Sequence, residues 1–92
     1  MDMAEDIKDL ERIYKAFANR RRLAIIRLIK KEREMTVGAI AARIHLSFTA
    51  TSKHLGVLAT ANILDREQRS LEMYYRIASD LHPHAKQIIA LF

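Results

Sequence analysis

TVGAIAARIHLSFTATSKHLGVL, residues 36–58, decides the fold of this chain. Val37, Ile40, Ala41 and Ile44 recur at helical steps, so residues 37–44 are predicted to form a short helix capped by Thr36. His45 and Leu46 follow as a tight turn. Ser47 then opens a second helix over residues 48–61, its hydroxyl placed to accept from a free N–H group of the first turn. Leu55 and Leu58 supply the inward face, whereas Thr49, Ser52 and Lys53 fall on a face with no apolar core to make. A short polar helix pinned from behind suits a DNA major groove. That groove admits one α-helix, and side chains near the helix N-terminus reach the base edges.

On the N-terminal side, Met3, Ile7, Leu10, Tyr14 and Phe17 alternate steps of four and three, which predicts a helix over residues 4–18 with one apolar stripe. Asn19 is placed to cap a second helix over residues 20–31, with Leu23, Ile26 and Ile29 inward and Ile25 and Leu28 widening the apolar face. Arg20, Arg21 and Arg22 sit at its start, where the helix dipole disfavours cations, so they serve either phosphate or links back to the first helix. KEREMT, residues 31–36, is read as a charged connection.

Beyond residue 58, Ile63 and Leu64 open a strand, residues 65–70 form a charged turn, and Leu71, Met73, Tyr75 and Ile77 alternate with polar residues as a half-buried strand. The pair is a hairpin wing, with one of Tyr74 and Tyr75 in the core and the other exposed or at an interface. Asp80 and Pro83 start a last helix to Phe92, with Leu81, Ala85, Ile88, Ile89 and Phe92 apolar. The expected fold class is mainly α with a small β-hairpin, one domain over residues 1–92. The first and last helices carry more apolar surface than so small a chain covers easily. They are expected to form a homodimer interface, the alternative being that they pack on each other within one subunit.

Composition narrows the function. Residues 1–11 hold five acids against Lys8 alone, while residues 12–92 hold fifteen basic and six acidic groups. A basic body attracts polyanions, nucleic acid foremost. The absence of cysteine excludes a disulfide framework, a thiolate metal site and a cysteine nucleophile. An acidic N-terminus is unlike a targeting segment, and no apolar run approaches the ~20 residues needed to span a bilayer. A cytoplasmic protein with no membrane partner is expected. With only Gly38 and Gly56, there is no glycine-rich phosphate loop, and no acid–base pair stands at recognisable spacing, so an enzyme is not expected.

The order helix, helix, helix, polar helix, wing, helix resembles the ArsR-type winged helix-turn-helix transcriptional regulators. YKAFANRRRLAIIRLI is similar to the family phrase ALADPTRLRIL through Asn19, Arg22 and Leu23, with Arg20 replacing its proline. TVGAIAARIHLSFTATSKHLGVLATANIL resembles LAEALGLSQSTVSRHLKVLREAGLV through Ala41, Leu46, Ser47, Ser52, His54, Leu55, Val57 and Leu58. LEMYYRI resembles the second wing strand, YYRL. His45 stands where the family has glycine, Thr51 where it prefers an apolar branched residue, and Phe48 where it often has glutamine.

The resemblance implies a homodimeric reader of double-stranded DNA, most often a repressor. Its DNA-binding residues would be Ser47, Phe48, Thr49, Ser52 and Lys53, with Arg66 and Arg69 on the wing near the minor groove. Phe48 either meets a thymine methyl or turns back onto the core, the core being favoured. For Arg66 and Arg69 the alternative is a solvated turn. His54 is expected to be packed and hydrogen-bonded rather than on a phosphate. The family's metal sites need paired cysteines, replaced here by MTVGA, or an Asp-x-His with later ligands. Asp80-Leu81-His82 and nearby His84 fall short of a closed set, so neither a metal nor a cofactor is expected. The competing function is a winged-helix protein-interaction module that does not bind DNA, whose signature would be an exposed Phe48.

Overall fold

The computed structural model describes residues 3–92, with side chains from Asp6 onward. Met3 of the expected stripe, like the acids Asp2 and Glu5, lies outside the described side chains. The elements run α1 (Met3–Phe17), α2 (Arg20–Glu32), β1 (Glu34–Thr36), α3 (Val37–Ile44), α4 (Phe48–Thr60), β2 (Leu64–Arg69), β3 (Glu72–Ile77) and α5 (Pro83–Ala90). The sheet is antiparallel in the order β1-β3-β2. The architecture is a winged helix-turn-helix.

The core is built where α2, α3 and α4 meet the sheet. Ile25, Ile26 and Ile29 of α2, Ile40 of α3, Leu55 and Leu58 of α4, and Ile63 are fully buried. Each such side chain contributes roughly 1.5–3 kcal/mol through its removal from water. Leu23 and Leu28 pack at the margin of this cluster. Local capping sets the helix starts. Asn19 Oδ1 accepts from the Arg21 and Arg22 N–H groups at 2.9 and 3.1 Å. Thr36 Oγ1 accepts from Ala39 N–H at 3.2 Å, and Ser47 Oγ from Ala50 N–H at 3.1 Å.

The turns are equally specific. His45 caps α3 in the left-handed region, φ 55°, where the resemblance places glycine. After α4, Asn62 takes φ 59° and donates to Ala59 O, while Ile63 N–H donates to Leu58 O. This paired closure ends the helix and sends the chain into the wing.

The stripe of α1 divides: Phe17 is buried with Ile13 and Ala16 in the subunit core, while Ile7 and Tyr14 are 60% and 47% exposed. Three expectations need correction. The charged connection after α2 contains a strand, because Met35 enters the core and pairs with Tyr75 at the sheet centre. The charged stretch after Leu64 is strand rather than turn. β2 pairs with β3 as far as Arg69↔Glu72, leaving a two-residue loop of Ser70 and Leu71. Ser70 takes the positive φ, 54°, that such a loop requires at its first position, and Leu71 is 95% exposed. Phe48 points away from the core at 61% exposure. Tyr75 is the core tyrosine of its pair, and Tyr74 lies partly exposed on the other face.

The last helix is shorter than its apolar pattern. His82 is its N-cap, Pro83 its first residue, and it ends at Ala90. Lys30 Nζ donates to Ile89 O and Phe92 O at 2.7 and 2.9 Å, placing a cation at the C-terminal end of α5.

Candidate nucleic-acid interface

The outer face of α4 follows from what its inner face must bury. Thr51, Leu55 and Leu58 are sealed beneath it. One helical turn has 3.6 residues, so Thr49 and Lys53 are carried to the opposite side and Ser52 to the flank, while Phe48, one turn before Thr51, is exposed because it stands at the helix start. Ser47, Phe48, Thr49 and Lys53 are exposed and Ser52 half-buried. Five of the seven predicted residues thus form one continuous surface at the start of α4. It offers three hydroxyls, one ammonium and one phenyl ring, beside backbone N–H groups at a positive helix end. Lys53 makes no hydrogen bond or ion pair with the described residues.

The wing arginines part company. Arg66 is exposed and makes no ion pair with the described residues. Arg69 is tied down: its guanidinium donates to both Glu34 oxygens at 2.8 and 2.6 Å and to Glu67 Oε1 at 2.8 Å, and it lies 4.4 Å above the Tyr74 ring. Arg76 donates to Glu67 Oε1 at 3.0 Å. The Arg69 hydrogen bonds hold Glu34 and Glu67 below the usual carboxylate range, with Arg76 assisting, and raise Arg69 in turn. This cluster stitches all three strands together.

Sequence reasoning missed the wing tip. Leu71 projects there, and Phe48, Gln68 and Met73 line a groove of about 190 Å3 between the start of α4 and the hairpin. Charge at residues 65–70 hides that tip, because only the β2–β3 pairing as far as Arg69↔Glu72 puts Leu71 in the loop.

Behind this surface, Arg22 joins two elements. It donates to Ala16 O at 2.7 Å and Lys15 O at 3.0 Å at the end of α1, and through Nη1 to His54 Nδ1 of α4 at 3.2 Å. A guanidinium can only donate, so His54 Nδ1 is the unprotonated nitrogen of a neutral ring. Burial pushes the His54 pKa down, helped by the charges of Arg22 and Arg21. Arg21 donates to Ile44 O at 3.5 Å, and Arg43 faces Glu32 at 3.9 Å. His82 and His84 are hydrogen-bonded within the fold. His82 Nδ1 accepts from His84 N–H at 3.1 Å, and His84 Nδ1 lies 2.8 Å from Tyr14 Oη. Among the described residues, no three His, Cys, Asp or Glu side chains converge. No helix is long and apolar enough to cross a membrane.

Residues 19–66, the whole helix-turn-helix with the start of the wing, match the bacterial regulatory protein family arsR. The chain belongs to the ArsR family. Among its relatives, the nodulation protein NolR of Rhizobium meliloti is 37% identical over 76 residues, 83% of this chain and 62% of that protein. The transcriptional activator HlyU of Vibrio cholerae is 31% identical over 67 residues, 73% of this chain and 61% of that protein. The chain therefore spans about three fifths of the length of the curated relatives it matches. A homodimeric winged helix-turn-helix DNA-binding domain from Mycobacterium bovis superposes with a TM-score of 0.82 at 31% identity, covering 96% of this chain and 78% of that one.

Proposed function

We propose that this ArsR-family chain is a single-domain, homodimeric, sequence-specific reader of double-stranded DNA that regulates transcription in the cytoplasm. The residue 47–61 helix enters the major groove, and the residue 65–70 wing lies near the minor groove. The observation that carries this reading is the polar, exposed start of α4 over a fully buried back. Thr49 and Ser52 offer hydroxyls to base edges or phosphates. Lys53 suits a guanine edge or a phosphate, and Phe48, free of the core, is available to a thymine methyl. Arg66 is the wing residue free to contact the backbone. Arg69 joins it only by leaving Glu34 and Glu67. Repression by occupying a promoter is the mode that needs nothing beyond these surfaces.

The exposed apolar set on α1, Ile7 and Tyr14 with half-buried Leu10, lies alongside α5 through the Tyr14–His84 contact. That surface is the proposed dimer face. Two-fold symmetry then makes the operator a pseudo-palindrome with half-sites about 10 bp apart or a multiple of it.

Selection of bound duplexes from a random pool, followed by titration of Lys53→Ala on the winner, tests the reading. A symmetric site is expected, with affinity falling steeply as salt rises and weakened by about 1–3 kcal/mol in the variant if Lys53 reads a base. Uniform weak binding to every duplex would favour the second reading, a protein-interaction module. Phe48 at 61% exposure, with Leu71 beside it across the groove, is the observation on its side.

A further inference from the structure

The groove between α1 and the second half of α4 shares only Lys53 with the reading above. Its floor is Ala16, Gly56, Val57 and Ala61, and its volume is about 620 Å3, within the ordinary range of small-molecule sites. Its rim carries Arg12, Lys15, Arg22 and Lys53, with no carboxylate among the lining residues. Lys15 reaches Glu11 at 3.7 Å, but both side chains are well exposed and such a pair is weak. Arg22 is bonded to carbonyls and an imidazole, which leave its charge uncompensated. Arg12 and Lys53 make no ion pair with the described residues.

Two residues of the floor have no reason within the subunit to be what they are. Glycine inside a helix is destabilising relative to alanine, yet a Cβ added at Gly56 would meet nothing within 4 Å, and its φ is not positive. Val57 is left 42% exposed. The groove is also separate from the proposed dimer face. At 3.6 residues per turn, Ile7, Leu10 and Tyr14 flank the buried face of α1 on one side, and Arg12 and Lys15 on the other.

We propose that this groove binds an amphipathic small-molecule anion, a carboxylate on an apolar body. The apolar part lies over Ala16, Gly56 and Val57, and the carboxylate meets Arg12 and Lys53. The apolar floor offers nothing to a phosphodiester backbone, and the cationic rim repels a cationic detergent-like molecule. Lys53 belongs to both the rim and the start of α4, so occupancy alters DNA affinity. That consequence rests on the DNA reading; the binding itself does not.

The test is titration of the 15N-labelled full chain with dodecanoate below its micelle-forming concentration, read by amide shifts without DNA. Saturable shifts centred on Ala16, Gly56 and Val57 are expected. Gly56→Phe, which fills the floor, should weaken binding by at least about tenfold with native spectral dispersion retained. Should that variant fail to fold, Arg12→Gln on the exposed rim is expected to weaken binding several-fold. Dodecyltrimethylammonium, with the same tail and the opposite charge, should give no saturation. Absence of shifts, equal binding by both folded variants and the parent, equal binding of the cation, or shifts centred on Ile7 and Tyr14 would each overturn the proposal. So would a short duplex shifting these amides at low salt where dodecanoate does not.

Discussion

The Thr51 side chain is fully buried beneath α4, and its Oγ1 has no hydrogen-bond partner among the described residues. A buried hydroxyl left unpaired costs about 1–3 kcal/mol, and valine has nearly the same shape. Thr51→Val is therefore expected to raise stability by about 1 kcal/mol, read as a higher urea midpoint at unchanged slope. A lower midpoint would mean that the hydroxyl is satisfied. His54 makes a second residue-scale prediction. Its folded pKa is depressed, so the unfolded chain takes up the proton first as pH falls below the ordinary value of 6.5. The stability contribution is complete above that value and is lost as pH drops toward the folded pKa. His54→Gln should flatten that part of the stability profile relative to the parent, and parallel profiles would exclude it. Residues whose role is local were legible in the sequence. Asn19, Thr36 and Ser47 cap as expected because a cap bonds within three residues. Phe48 was not legible, because its direction depends on how α3 and the wing pack around the start of α4. Arg69 was not, because its partner Glu34 lies 35 residues away.

At the scale of elements, the helices were readable from periodicity, one strand was not, and another only at its start. Glu34–Thr36 has a single apolar residue, too little for any alternation, and becomes a strand only because β3 presents an open edge. Leu64–Arg69 is charged along most of its length because, beyond the buried Leu64, it is an exposed edge strand. Charge on such an edge discourages pairing with another chain. The Glu34–Arg69–Glu67–Arg76 cluster is what pins this polar hairpin to the body. Arg69→Met should return Glu34 and Glu67 toward the usual carboxylate range in an NMR titration and speed amide exchange at Gln68 and Met73. Unchanged exchange would show that backbone pairing alone holds the wing. The same substitution also reports on DNA. If Arg69 remains with its carboxylates, operator affinity changes only through the altered wing position.

For the molecule as a whole, the order of elements was legible because each amphipathic segment must cover the next. The stripe on α1 was legible as apolar surface but not in its division: Phe17 turns inward with Ile13 and Ala16, while Ile7 and Tyr14 stay exposed. Ile7→Glu places a charge in the middle of the proposed dimer face. Sedimentation should then give the mass of one chain where the parent gives two, and affinity for the symmetric operator should fall. A parent that sediments as one chain at micromolar concentration would remove the dimer.

Arg22 would give the proposed dimer its ruler. It fastens the end of α1, half of the proposed dimer face, to His54 in the middle of α4, so no hinge separates what would hold two subunits together from what would read the bases. One inserted base pair between half-sites shifts the second by 3.4 Å and turns it by about 34°. A molecule with a flexible joint would follow that displacement. This one is expected to meet it with a rigid span of fixed length, and to lose most of its grip on any operator spaced one base pair too wide.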